Sequence, residues 1–215
     1  MGTITKIEQQ KKNESRVNIY IDNKFFLGIS TEIVYKLRLN KGVEIEEDKL
    51  KEIVDEENYI KAKNTAFNIL SHNMQSEENI RFKLGKKDYE QHTIDRVIKI
   101  LKEYKMIDDQ ELAKMIVNDK KHIKRYGRNR IKQDLYKKGI DKDIIEYAIK
   151  SQIKEDEEYK NALYLGQKKL RVIKDKDKRK VYEKLSRHLI YKGFNYDIVK
   201  KVVRQLLNDI DGYGD

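Results

Sequence analysis

The sequence predicts a mainly α protein of tandem three-helix repeats, preceded by a small N-terminal antiparallel β-sheet segment. Three observations carry that class. From Tyr59 onward the apolar residues recur with a helical period. That pattern then repeats: with Leu84, Leu135 and Leu189 aligned, at offsets of 51 and 54 residues, the following positions fall into register without a gap. Ahead of it, Val17, Ile19 and Ile21 alternate with Asn18, Tyr20 and Asp22, the period of a half-buried strand. No proline occurs in 215 residues, so nothing of that kind interrupts a long helix.

The elements follow in order. Thr3 to Gln9 is a strand, joined through a polar loop at Lys11 to Ser15 to the alternating strand. Asp22-Asn23 makes a tight turn into the strand Lys24 to Ile29. Ile33 to Leu39 is a short helix closed by Gly42. Glu44 to Glu57 holds eight acids against Lys49 and Lys51; such a run is a solvated helix face or an acidic surface that folds back on a basic one.

Each repeat has an opening helix, at Ile60 to Ser71, Gln110 to Arg125 and Tyr159 to Leu170. Its second helix carries the aligned leucine and ends at a joint: Asp88, Gly139 or Gly193, followed by Tyr89, Ile140 or Phe194. A helix end favours the left-handed conformation, which glycine adopts without a Cβ penalty. Asp88, in the glycine's place, therefore predicts a weaker first joint. Asp141 and Asn195 offer N-cap oxygens to the third helices, and Ser76 caps the helix Glu77 to Leu84. The divisions expected are 1–57, 58–108, 109–153 and 154–215, the last with a frayed polar tail from Asp209 to Asp215.

Composition excludes several classes. There is no cysteine, hence no disulfide, thiolate metal site or thiol nucleophile. His72, His92, His122 and His188 are scattered without zinc spacing. Leu84-Gly85-Lys86-Lys87 lacks the earlier glycine and the hydroxyl of a phosphate-binding loop, and no serine sits in a G-x-S-x-G elbow. Asp108-Asp109 is read as helix capping in preference to a paired carboxylate. The expectation is a protein without catalytic residues, metal or cofactor. No apolar run reaches membrane-spanning length and the N-terminus lacks a secretory signal, so a soluble cytosolic protein is expected; a monomer is the separate expectation for its assembly.

Charge is the remaining signal. The net charge is +11 with a pI near 9.4, which favours polyanionic or acidic partners. Residues 113–139 carry a balance of +8, and Lys120, Lys121, Lys124, Arg125, Arg128, Arg130, Lys132, Lys137 and Lys138 are the candidate basic surface. Arg128 and Arg130 stand beside Gly127 at a helix start, where backbone N–H groups can face a phosphate. Alanine at both is expected to weaken binding while leaving helicity intact. A second cluster, residues 168–187 with a balance of +7, offers Lys168, Lys169, Arg171, Arg179, Lys180 and Arg187. Such surfaces bind nucleic acid by counterion release, with steep salt dependence.

The segment Ile107-Asp108-Asp109-Gln110-Glu111-Leu112-Ala113 resembles the hydrophobic-Asp-Asp-x-x-Phe-Ala signature of RecX regulatory proteins, with Leu112 in the phenylalanine position. Lys137-Lys138-Gly139-Ile140 and Tyr191-Lys192-Gly193-Phe194 resemble that family's Lys-Gly-hydrophobic joints. Ala66 to Leu84 is similar to its first repeat, and residues 4–22 to the leading segment of its longer Gram-positive-type members. Asp88 departs from the pattern in place of a joint glycine, and Asn73-Met74 in place of a commonly basic pair. The resemblance implies an elongated helical crescent that binds the RecA recombinase filament on DNA. It further implies inhibition of strand exchange and of RecA ATP hydrolysis, with a place in DNA repair, recombination and the SOS response. Asp108, Asp109, Leu112, Ala113, Gly139 and Gly193 are then structural signature positions. The residues alone leave open a protein that binds single- or double-stranded DNA, or RNA, without a recombinase. They also leave open a scaffold for another protein's acidic face, and stabilisation of the filament in place of inhibition.

Overall fold

The N-terminal strands form for the reasons their sequence gives. In the computed structural model, which describes residues 1–11 and 13–211, β1 (Gly2–Gln10), β2 (Asn13–Ile21) and β3 (Lys24–Ser30) are successive antiparallel strands. Val17, Ile19 and Ile21 turn inward with Ile4 and Ile29, and the alternating polar residues face out. Asp22 (φ 48°) and Asn23 (φ 65°) both adopt the left-handed conformation, the two-residue turn whose twist matches the strands it joins. The first hairpin is tighter than expected, because Gln10 already pairs with Asn13.

Helix α1 (Thr31–Lys36) is capped by the Ser30 hydroxyl, which accepts from Ile33 N–H. A fourth strand, β4 (Glu44–Ile45), pairs with Gly2 and Thr3 and completes the sheet order β3-β2-β1-β4. Two residues carry no period, so this strand left no mark on the sequence.

Helix α2 (Glu47–Leu70) merges the acid-rich run with the opening helix of the first repeat. Residues 47–70 contain no glycine or proline to stop it, and Glu47 and Asp48 complement the positive end of its dipole. Its acids pair locally: Glu56 with Arg96 at 2.9 Å, and Glu57 with Lys36. These cations lie outside the basic segment at 113–139.

The remaining helices are α3 (Glu77–Gly85), α4 (Gln91–Glu103), α5 (Asp109–His122), α6 (Arg128–Tyr136), α7 (Lys142–Gln152), α8 (Glu155–Leu170), α9 (Lys178–Tyr191) and α10 (Tyr196–Asp211). Helix α10 includes the first three residues of the segment expected to be frayed; the others lie outside the described residues. None of the described helices is long and apolar enough to cross a membrane.

The repeat register is visible in the core. Leu84, Leu135 and Leu189 are fully buried, and truncating such a leucine to alanine typically costs about 2–5 kcal/mol. The joints are left-handed at Asp88 (φ 60°), Gly139 (φ 73°) and Gly193 (φ 92°). After the glycines, Ile140 N–H reaches back to the Leu135 carbonyl and Phe194 N–H to that of Leu189, and both side chains are buried over the helix end. Asp141 accepts from Asp143 N–H at 2.8 Å and Asn195 from Ile198 N–H at 2.8 Å, so both caps act as expected.

The described chain divides into two compact units, residues 1–67 with 84–97, and residues 68–83 with 98–215. The first holds the sheet and its core around Ile19, Ile33 and Leu50. The second contains two clusters, one built on α5, α6 and α7 and the other on α8, α9 and α10.

Candidate nucleic-acid interface

The second unit decides which cations are available. Its second helices meet head to tail. The N–H groups of Gly127 and Asn129, at the start of α6, donate to the carbonyls of Lys192 and Gly193 at the end of α9, both at 3.0 Å. Opposite helix-dipole ends are thereby apposed. Gly127 and Gly193 are necessary because a Cβ on Gly127 would overlap the Gly193 carbonyl, and one on Gly193 would overlap the Arg130 backbone. The Arg128 N–H donates to Glu158 Oε1 at 2.9 Å, and its Nε to Oε2 at 2.6 Å. All three of these N–H groups are thus satisfied by protein. This corrects the expectation that this helix start faces a phosphate.

One repeat earlier the junction is built the same way. The Ser76 hydroxyl donates to the Lys138 carbonyl at the end of α6 and accepts from Asn79 N–H at 3.2 Å. Asp109 accepts from Glu77 N–H at 3.0 Å. A Cβ on Gly139 would lie 2.7 Å from Glu78 Cβ. The Asp-Asp pair therefore splits its work. Asp108 caps its own helix through Gln110 and Glu111 N–H, and Asp109 caps α3 in the preceding repeat. Burial raises the Asp109 carboxyl above its ordinary value, partly offset by the Glu77 N–H bond. Glu77 is held below its own: burial opposes this, but hydrogen bonds and charge from Lys102 and Arg81 prevail. Leu112 and Ala113 are buried in the α5–α7 cluster.

The first basic cluster is largely engaged. Lys121 is buried, with its ammonium on the Gln152 carbonyl at 2.8 Å and on Glu157 at 3.1 Å. Arg125, left-handed at φ 53°, bonds Asn161 at 3.0 Å and stacks 4.3 Å from the Tyr164 ring centre. Arg130 lies near the rings of Tyr126 and Tyr191 and 3.6 Å from Asp134. Lys120 is 3.7 Å from Asp134, and Lys132 pairs with Glu146. Lys124, Lys137 and Lys138 are exposed.

The second cluster is more open. Lys168, Arg171, Arg179, Lys180 and Arg187 are exposed and Lys169 is half-buried. Between the end of α8 and the face of α9 lies a groove of about 600 Å³, lined by Lys169, Lys174, Arg187 and His188 with Val172 and Tyr191, and by Asp175 in its ion pair with Lys184. Tyr191 is 67% and Val172 65% exposed, so the groove offers flat apolar surface as well as charge. Burial lowers the His188 pKa from its ordinary value, and the ammonium groups of Lys192 and Lys169 lower it further. A cation-rimmed groove with an aromatic wall suits a phosphate backbone carrying unstacked bases.

Four segments of the chain match domains of known proteins. Residues 2–46 match the N-terminal domain of the regulatory protein RecX. Residues 62–101, 108–149 and 155–203 match the first, second and third three-helix domains of RecX. The chain belongs to the RecX family. It is 51% identical over 208 residues to the Regulatory protein RecX of Clostridioides difficile (strain 630), covering 97% of each chain. It is 40% identical to that of Clostridium perfringens (strain SM101 / Type A), covering 97% of this chain and 98% of the relative. A crystal structure of regulatory protein RecX superposes with a TM-score of 0.67 at 28% identity, covering 94% of this chain and 98% of that one. RecX from Lactobacillus salivarius gives 0.64 at 27%, covering 70% and 97%.

Within this RecX-family chain, the residues that sequence reasoning missed are Glu158, Asn161 and Ser76 in its junction role. Asn161 is buried, donates to the Lys121 carbonyl at 3.0 Å and accepts from Arg125. A signal for Glu158 existed. Aligning Ala162 with Ala113 places Glu158 on Asp109, the carboxylate that caps the preceding repeat.

Proposed function

We propose that this RecX-family protein is a non-enzymatic regulator that binds the RecA recombinase–DNA filament and inhibits its strand exchange and ATP hydrolysis. Family membership supports the recombinase as partner. The single structural observation behind the DNA contact is the open cationic groove of the third repeat, at Lys169, Lys174 and Arg187 with Tyr191. Arg171, Arg179, Lys180, Lys124, Lys137 and Lys138 are further exposed cations within reach of solvent polyanions. Arg128, Arg130, Arg125 and Lys121 act in this reading by holding the repeats together.

Several weak contacts presented by one chain reinforce one another through effective concentration, so binding to a filament exceeds binding to bare DNA. The test is RecA ATP hydrolysis on single-stranded DNA, titrated with this protein at substoichiometric ratios, beside an anisotropy titration of the same DNA without RecA. Hydrolysis lost at ratios too low to coat the DNA is the expected result. Hydrolysis lost only when bare DNA is saturated would make this a DNA-binding protein that competes for the strand. Charge reversal at Lys174 and Arg187 is expected to weaken both titrations, with a shallower salt dependence.

A further inference from the structure

The sheet leaves one side of β1 open. β4 covers Gly2 and Thr3, and Ile4 is satisfied by the Val43 carbonyl at 2.9 Å and the Gly42 N–H at 2.8 Å. From Thr5 to Gln10, β1 pairs with β2 on one side, and no strand lies on the other among the described residues. In an antiparallel ladder alternate residues turn their N–H and C=O groups to opposite sides, so this stretch presents backbone donors and acceptors outward. Beside it lies a trough of about 740 Å³, bounded by β1, α1 and the 38–41 loop. Its floor is Ile7, Val17, Val34 and Leu39, and Tyr35, 85% exposed, stands at its wall. Its lining includes the cations Lys6, Arg38 and Lys41 and no carboxylate.

We propose that this trough is a docking site for an extended segment of a partner protein, in which acidic residues alternate with apolar ones. The segment adds as a strand to β1, its backbone completing the ladder. Because strand side chains alternate between faces, one set drops onto the Ile7–Leu39 floor, and Arg38 and Lys41, which line the same trough, supply the positive charge that favours acidic residues in the segment. Six residues of β1 accept a partner segment about 20 Å long. Lys6 is already 2.9 Å from Glu8, and such edge charges, with the register shift between Ile4 and Lys6, discourage indiscriminate pairing. An extended peptide is favoured over nucleic acid because a peptide offers both N–H donors and carbonyl acceptors at the spacing of the ladder, whereas a phosphate backbone offers acceptors alone.

The experiment uses the full-length protein, isotope-labelled for amide NMR, and the peptide acetyl-Glu-Val-Asp-Ile-Glu-Val-Asp-amide. Saturable shifts and slowed hydrogen exchange at Thr5 to Gln10 are expected. Binding should fall at least about tenfold for a peptide N-methylated at alternate residues, for its lysine counterpart, and for the R38E/K41E double variant. Three results each overturn the proposal: no saturable binding of the acidic peptide, equal binding of the N-methylated peptide, or the same amides shifted by oligothymidylate alone. Concentration-dependent pairing of β1 between two copies of this chain, with the peptide unable to compete, overturns it as well.

Discussion

Removal of the Glu158 carboxylate tests whether the repeats are held by the head-to-tail junction. Its side chain is 1% exposed and accepts two bonds from Arg128, one from the backbone at 2.9 Å and one from Nε at 2.6 Å. Losing one partner of a buried pair costs about 3–5 kcal/mol. Arg128 is 37% exposed, however, so water recovers part of its solvation. Loss of a helix-capping acceptor adds about 1 kcal/mol. The expected cost of Glu158→Ala is therefore about 2–3 kcal/mol, concentrated where α6 meets the third repeat. Native-state hydrogen exchange reads it directly: protection of the α6 amides should fall by about 30- to 150-fold. Glu158→Gln keeps an acceptor for the Arg128 N–H and should lose less. Arg128→Met in the Glu158→Ala background should cost little more, since the two act as a pair. Protection lowered by less than about threefold would show that the junction is held by apolar packing and that Arg128 is free for other work. The same logic revises the double alanine variant at Arg128 and Arg130, which should lose stability along with any binding.

Gly193→Ala combines a left-handed backbone with a clash at Arg130 and should lower stability by more than about 2 kcal/mol in a urea titration. Gly85→Ala, with open space around it, should leave stability unchanged or raise it by up to about 1 kcal/mol. Equal effects would contradict the close approach. Asp109 has a raised pKa, so its folded-state penalty is present above that value and vanishes as pH falls toward its ordinary 3.8. Wild type should therefore gain on Asp109→Asn between pH 7 and acid conditions; a gap that is constant or moves the other way refutes the assignment. His188 is depressed, so its contribution is intact above 6.5 and declines as pH falls through the lowered value. Single-stranded DNA in the neighbouring groove should raise the His188 pKa by NMR titration, and an unmoved curve would locate the polyanion elsewhere.

The sequence by itself determined the class, the repeat register and the joints. Leu84, Leu135 and Leu189 recur at helical phase, and burial follows directly from that phase. Asp141 and Asn195 cap helices within three residues of themselves, and Asp22-Asn23, Gly139 and Gly193 meet a local demand for left-handed backbone, so their types announced them; the close approach of a neighbouring repeat to the two glycines was not announced. Tertiary structure decided the rest. Whether a cation is free depends on what lies opposite, and Arg128 meets Glu158 from 30 residues away. Asp109 likewise caps a helix that begins 32 residues earlier. β4 exists only because Gly2 and Thr3 stand beside it. Charge density along the chain counted Arg128 and Arg187 alike; folding buries the partner of the first and leaves the second on an open groove. Desolvation and pairing are properties of neighbours in space, and periodicity along the chain does not contain them.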